Sequence, residues 1–271
     1  MAAWWKRCER ASYRMADGLL RAVAQLCLGE QTEATVRIAE GWLQRRSHFT
    51  TGLIMEVLIA QTHPLVLVDK SPSTVYRPNS LQRAQSFFPR ARFLHLLRHP
   101  RGHGESVMKY ADYCAQQGQV PEWLNHLASF PTPFPSRCDP GGVDPQRGWY
   151  ALNMNICQFL ASVPEERKLL IRSEDLLAHP EATLRRIAGW LGLRTDAEAI
   201  DQMMHPERSV YAGYGPPRAR LGNDHFFLKD PTFRPAAARP PQEMQEPLKW
   251  RPDGQGFWPE VVDLAQQFGY R

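Results

Sequence analysis

Twice between residues 65 and 110 a short apolar run ends in a cluster of charged and hydroxyl side chains, with a helical stretch between the two runs. The first, residues 65–68, stops at Asp69, Lys70, Ser71 and Pro72; the second, residues 93–97, stops at Arg98, His99 and Pro100. Short apolar runs bounded by polar and proline signals read as buried strands, and residues 78–88, ended by Pro89, read as the helix that joins them. Parallel strands need such a crossover. In an open parallel sheet the loops after the carboxyl ends of the strands form the ligand crevice. Lys70, Ser71, Arg98 and Ser106 are therefore expected at one rim.

The chemistry of that rim is anion chemistry. Arg98 follows the last residue of its strand, Pro100 opens the next helix, and Ser106 comes eight residues after Arg98. Proline is tolerated at a helix start because the first N–H groups have no partner inside the helix. A guanidinium fork, a hydroxyl and a helix N-terminus together suit a phosphate or sulfate. Lys70 adds a point charge that can meet a transferring group. Taken singly, Arg98 also reads as a surface ion-pair partner and Ser106 as a helix residue facing water.

The stretch resembles the sulfotransferases that use 3′-phosphoadenosine-5′-phosphosulfate (PAPS), whose 3′-phosphate site is a strand-end Arg with a Ser eight residues on, matched here by Arg98 and Ser106. The segment D-K-S-P, Asp69 to Pro72, is similar to the lysine-bearing strand end of the bacterial and heparan-type members. The likeness is nearest to sulfotransferase domains of alkene-forming polyketide synthases. It resumes at residues 149–160, 171–177 and 224–229, and covers most of residues 17–230.

The resemblance implies an α/β, P-loop-like sulfotransferase fold, a central parallel sheet flanked by helices in one domain over residues 1–271. It implies PAPS as co-substrate, no metal, and Lys70 stabilising charge on the transferring group. Arg218, Arg220 and Gly222, in a basic loop over residues 211–235, are its candidates for a second hold on the 3′-phosphate. The acceptor it implies is a small-molecule or carrier-bound hydroxyl, such as a hydroxyacyl chain on an acyl carrier protein. The base is less determined. Soluble members place a His where this chain has Pro72, and polyketide-type domains one near Pro216; soluble members also often carry a Tyr near the adenine where this chain has Ser173, so that contact is expected to be lost. His103 and Asp69 are the candidates taken here, with His99 and Glu105 also nearby.

One family feature has no match. Members begin with a strand and a loop of the type P-R-S-G-T/S-T that cradles the 5′-phosphosulfate. Before Leu65, Gly18, Gly29, Gly41 and Gly52 all stand in helical contexts, so the first strand and its loop are expected to be absent. That keeps open a truncated, inactive module that binds nucleotide or a partner without turnover. A kinase fragment is disfavoured because no G-x-x-x-x-G-K-[ST] occurs.

Composition sets the remaining bounds. A chain of 271 residues with 43% apolar and 23% charged side chains is ordinary globular usage for an α/β enzyme. The formal charge of +5 is scattered rather than striped, which argues against nucleic acid as partner. Five widely spaced cysteines make neither a disulfide framework nor a zinc site and point to a reducing cytoplasm. No run is long enough for a membrane span. Residues 118–148, rich in proline and aromatics, read as a long flap over the acceptor. Helices are expected over residues 18–26, 32–46, 149–161, 181–191 and 196–204, a third strand over 168–171, and a packed helix within 257–270.

Overall fold

The computed structural model describes residues 16–118, 130–133, 144–236, 244–251 and 253–270. The expected flap over residues 118–148 lies largely outside them. The chain divides into two compact units, Met1–Ser71 with Arg194–Arg234, and Pro72–Leu193 with Pro235–Arg271.

The first unit is helical. Helix α1 (Asp17–Leu28) ends at Gly29, which turns the chain at φ 85°, a backbone region open to glycine at no steric cost. Helix α2 (Glu33–Arg45) begins with a capping box in which Thr32 and Thr35 exchange hydrogen bonds. Helix α3 (Thr51–Thr62) is capped by the Thr50 hydroxyl. Leu20, Val23, Ala24, Val36, Ala39, Leu43, Ile54 and Leu58 form one core. Later in the chain come α9 (Ala197–Met203), capped by Asp196, and the short α10 (His225–Lys229), capped by Asp224.

The loop before α10 is fixed to α1 by side chains. Arg21 donates to the carbonyls of Gly213 (3.2 Å) and Leu221 (2.8 Å), and the Leu221 N–H donates to Asp17 at 2.9 Å. Gly222 has φ 102°, and a Cβ there would stand 2.8 Å from the Gly18 Cα, so two glycines let loop and helix touch backbone to backbone.

The second unit carries the sheet. Strand β1 (Phe93–Leu97) pairs in parallel with β2 (Lys168–Arg172), from Phe93 opposite Lys168 to Leu97 opposite Arg172. Helix α4 (Pro78–Phe87) precedes β1. Helices α5 (Pro100–Gln116) and α6 (Pro145–Ala161) lie in the connection between the strands, and α7 (Ser173–Ala178) and α8 (Pro180–Leu191) follow β2. Alternation along a strand sends neighbouring side chains to opposite faces. His95, Leu97 and Ile171 are buried, whereas Leu94, Leu96 and Leu170 are exposed. Leu97 packs with Trp149 of α6 and with Val261, Leu264 and Ala265 of α11 (Pro259–Gln267).

Two expectations are corrected. Residues 65–68 are not a strand: Leu65 and Val68 are 73% and 74% exposed, and only Leu67 packs, against the helical core of the first unit. A strand requires a neighbour to take its N–H and C=O groups, and among the described residues this run has no ladder partner. Helix α6 begins at Pro145, four residues before the expected start, because Asp144 accepts from the Gln146 N–H at 3.1 Å and caps it. Among the described residues, no helix is long and apolar enough to cross a membrane.

Candidate anion site

The turn from β1 into α5 presents Arg98. His99 is the N-cap of α5, its Nδ1 accepting from the Arg101 N–H at 3.1 Å, and Pro100 occupies the first helical turn. The two arginines of this turn have opposite fates. Arg101 is buried, donating to the carbonyls of Pro247 (3.0 Å) and Glu246 (2.8 Å), with its guanidinium 5.5 Å from the Phe257 ring. Arg98 is exposed, and no carboxylate among the described residues pairs with it.

Gly102 shapes that exposure. A Cβ at Gly102 would stand 3.2 Å from the Arg98 Nε and 3.7 Å from one of its terminal nitrogens, so the guanidinium lies across the first turn of α5 where the side chain is missing. Ser106 is exposed four residues further on, and residues four apart share a helix face. Guanidinium, bare backbone and hydroxyl thus follow one another along a single face of α5. The positive end of the helix dipole sits at the same place. Two positive sources side by side are mutually unfavourable until an anion binds.

His103 lies beside this group. Its Nε2 is buried and has no hydrogen-bond partner among the described residues. Burial first, and the neighbouring Arg98 second, lower its pKa from 6.5 to about 4. The ring is therefore neutral in the folded protein at pH 7. An unfolded chain takes up that proton near 6.5, so stability is fully present above 6.5 and is lost as pH falls toward 4, by about 2 kcal/mol at pH 5. Urea unfolding at pH 7 and pH 5 checks this: the acid loss is expected to shrink in His103→Gln. Burial lowers the His95 pKa as well, so the variant keeps a residual slope; an unchanged slope would remove His103 as its source.

The other candidates sit in the first unit. Asp69 and Lys70 are exposed at the end of the 65–68 run, with the Ser71 hydroxyl donating to Asp69 at 2.8 Å. Arg218 is engaged by carboxylates of α2, Glu33 at 3.0 Å and Glu40 at 3.1 Å. Arg220 is exposed and rests on the Tyr214 ring at 4.9 Å, and the Tyr214 hydroxyl is 3.1 Å from His225 Nδ1. Gly222 makes the close approach to Gly18 already described. The structure places Arg98 in the turn that enters α5 and His103 and Ser106 on that helix, and it brings Arg218, Arg220 and Gly222 together in one loop.

Three residues of the Arg98 turn were missed by sequence reasoning. Gly102 carries a signal, since glycine inside a helix costs about 1 kcal/mol relative to alanine and so calls for a reason. Trp149, whose indole N–H donates to the Arg98 carbonyl at 2.9 Å, and Glu174, which accepts from the His99 N–H at 2.9 Å, carry none. Their partners are far away in sequence.

Comparison with known proteins bears on the family and the fold. A model of the sulfotransferase family matches residues 1–197. No curated protein matches by sequence. Among solved structures, the chain is similar to a sulfotransferase domain from the curacin biosynthetic pathway, 23% identical with a TM-score of 0.66 over 98% of this chain and 83% of that one. It is equally similar to a sulfotransferase domain from the Synechococcus PCC 7002 olefin synthase, 23% identical with a TM-score of 0.66 over 100% of this chain and 80% of that one.

Proposed function

We propose that this chain, which belongs to the sulfotransferase family, grips the 3′-phosphate of PAPS with Arg98 and Ser106 and moves its sulfuryl group to an acceptor hydroxyl. The observation that carries the reading is the uncompensated cation: a guanidinium laid over Gly102 at the positive end of α5, with an exposed hydroxyl one turn further on. A dianionic phosphate supplies the missing charge, and charge-assisted bonds to a planar fork are the strong kind.

In the transfer, the acceptor oxygen bonds to sulfur as the bond from sulfur to the 5′-phosphate oxygen breaks, leaving 3′,5′-adenosine diphosphate. Lys70 is the cation proposed to meet charge building on the transferring oxygens, by analogy with phosphoryl transfer. Asp69 is proposed to take the hydroxyl proton in preference to His103, because Asp69 is exposed whereas the His103 Nε2 is buried. Arg220 is proposed over Arg218 for the second hold on the nucleotide, because Arg218 is already occupied by two carboxylates. The acceptor proposed is a hydroxyacyl chain on a carrier protein, supported by the fold likeness to an olefin synthase domain. A reducing, cytoplasmic setting is part of the proposal, in keeping with free thiols at Cys27, Cys114 and Cys157.

Titration calorimetry with 3′,5′-adenosine diphosphate and with 5′-AMP tests the reading. The first is expected to bind at least tenfold more tightly, since only it carries the 3′-phosphate. Equal affinities, or no heat from either at millimolar concentration, would overturn it. A second reading, binding without turnover, is favoured by one observation: the described residues before Leu65 form three helices, with no strand-and-glycine turn among them to hold the 5′-phosphosulfate. Tight binding with no sulfated product from a panel of hydroxyacyl carriers would select it.

A further inference from the structure

The peptide unit between Arg98 and His99 lies just past the last paired residues of the sheet, Leu97 and Arg172. No strand neighbour is left to hold it, yet both of its polar groups are taken by side chains. Its carbonyl accepts from the Trp149 indole at 2.9 Å, and its N–H donates to Glu174 Oε1 at 2.9 Å. A peptide is planar and stiff. Pinning its oxygen on one side and its hydrogen on the other sets the rotation about the bonds flanking it, and with that the direction in which Arg98 leaves the backbone.

Glu174 is itself held. Its second oxygen accepts from the Tyr270 hydroxyl at 2.8 Å. The buried Tyr270 ring stands edge-on to the His99 ring, with centroids 4.9 Å apart and planes at 83°. Tyr270 is brought there by a turn at Gly269, φ 83°, whose carbonyl accepts from Arg172 at 3.2 Å. Arg172 in turn grips Asp175 with two bonds of 2.8 and 2.9 Å. Burial, and after it the Glu174 carboxylate, push the Tyr270 phenol up from its usual pKa, so its O–H remains a donor throughout the neutral range.

We propose that Glu174 and Tyr270 are positioning residues for phosphate recognition, a clamp that runs from the segment after α11 to the backbone behind Arg98 and aims its guanidinium along α5. The inference rests on the reading of Arg98 as the 3′-phosphate ligand. Neither clamp residue touches the phosphate. Each acts through the Arg98–His99 peptide, with Trp149 as the fixed point on the opposite side.

The test is the ratio of the 5′-AMP dissociation constant to that of 3′,5′-adenosine diphosphate, measured by calorimetry on the full chain. That ratio isolates the 3′-phosphate and is indifferent to a uniform loss of stability, which thermal melting records separately. Glu174→Ala is expected to lower the ratio about tenfold and Tyr270→Phe about threefold. Glu174→Gln is expected to restore most of it, because an amide oxygen can still accept from the His99 N–H while its NH2 faces the phenol oxygen. Arg98→Ala serves as the reference. If it leaves the ratio unchanged, the parent reading fails. If it flattens the ratio while Glu174→Ala and Tyr270→Phe lower only the melting temperature, the parent reading stands and the clamp is overturned. Should Glu174→Ala not fold, Tyr270→Phe removes a single hydroxyl and decides the matter alone.

Discussion

Replacing Arg98 with alanine is expected to weaken binding of 3′,5′-adenosine diphosphate about 100-fold and to leave 5′-AMP binding within threefold. The magnitude follows from the bonds removed. Hydrogen bonds to charged groups contribute about 1.5–3 kcal/mol each, and a fork that meets phosphate with two of them at the low end of that range supports a loss of about 3 kcal/mol, about two decades in affinity. No carboxylate among the described residues competes for Arg98, so little of that sum is spent on breaking an existing pair. Lysine at this position keeps the charge without the fork, and an intermediate loss of about tenfold is expected. Ser106→Ala removes one neutral donor and is expected to cost less than either. A loss below threefold in Arg98→Ala would show that the phosphate is held elsewhere, with the loop bearing Arg220 the next place to look.

Many helices of both units were legible because their signals are local. Pro100 and Pro180 start helices, Gly29 and Gly192 end them with positive φ, and Thr32, Thr50 and Asp196 cap them, whereas α10, capped by Asp224, formed inside the stretch read as a basic loop. Two of three apolar runs became neighbouring parallel strands. The third, residues 65–68, has the composition of a strand, but hydrophobicity names a tendency while a strand is defined by its partner, and the described residues supply none. The contrast between Arg98 and Arg101 could not be read from sequence either. Both stand within two residues of Pro100; what buries one is a pair of carbonyls at 246 and 247, about 145 residues away. Glu174 and Tyr270 were invisible for the same reason. The resemblance supplied the family and the Arg98–Ser106 pair, whereas the supports of that pair needed the fold.

The other large effect belongs to Gly104. Its replacement by alanine is expected to destabilise the second unit by about 3 kcal/mol, the upper end of what overpacking costs. A Cβ there would stand 2.3, 2.6 and 2.9 Å from three carbons of the Trp250 ring, far inside van der Waals contact. An indole is rigid, so the ring must swing as a whole. In doing so it gives up its N–H bond to Asp144 (3.3 Å), the residue that caps α6, and it disturbs the segment whose carbonyls hold Arg101. Gly102, two residues earlier, makes the useful contrast. There the added methyl meets only the Arg98 side chain at 3.2 Å, which can move aside, and alanine gains up to about 1 kcal/mol of helix propensity. Gly102→Ala is therefore expected to melt no lower than the wild type while binding 3′,5′-adenosine diphosphate several-fold more weakly. For Gly104 the cause is checked with a double-mutant cycle in urea. Trp250→Leu removes the ring that the methyl strikes, so the double variant is expected to be at least 1 kcal/mol more stable than the sum of the single losses predicts. Strict additivity would mean that the indole is not what excludes a side chain at position 104.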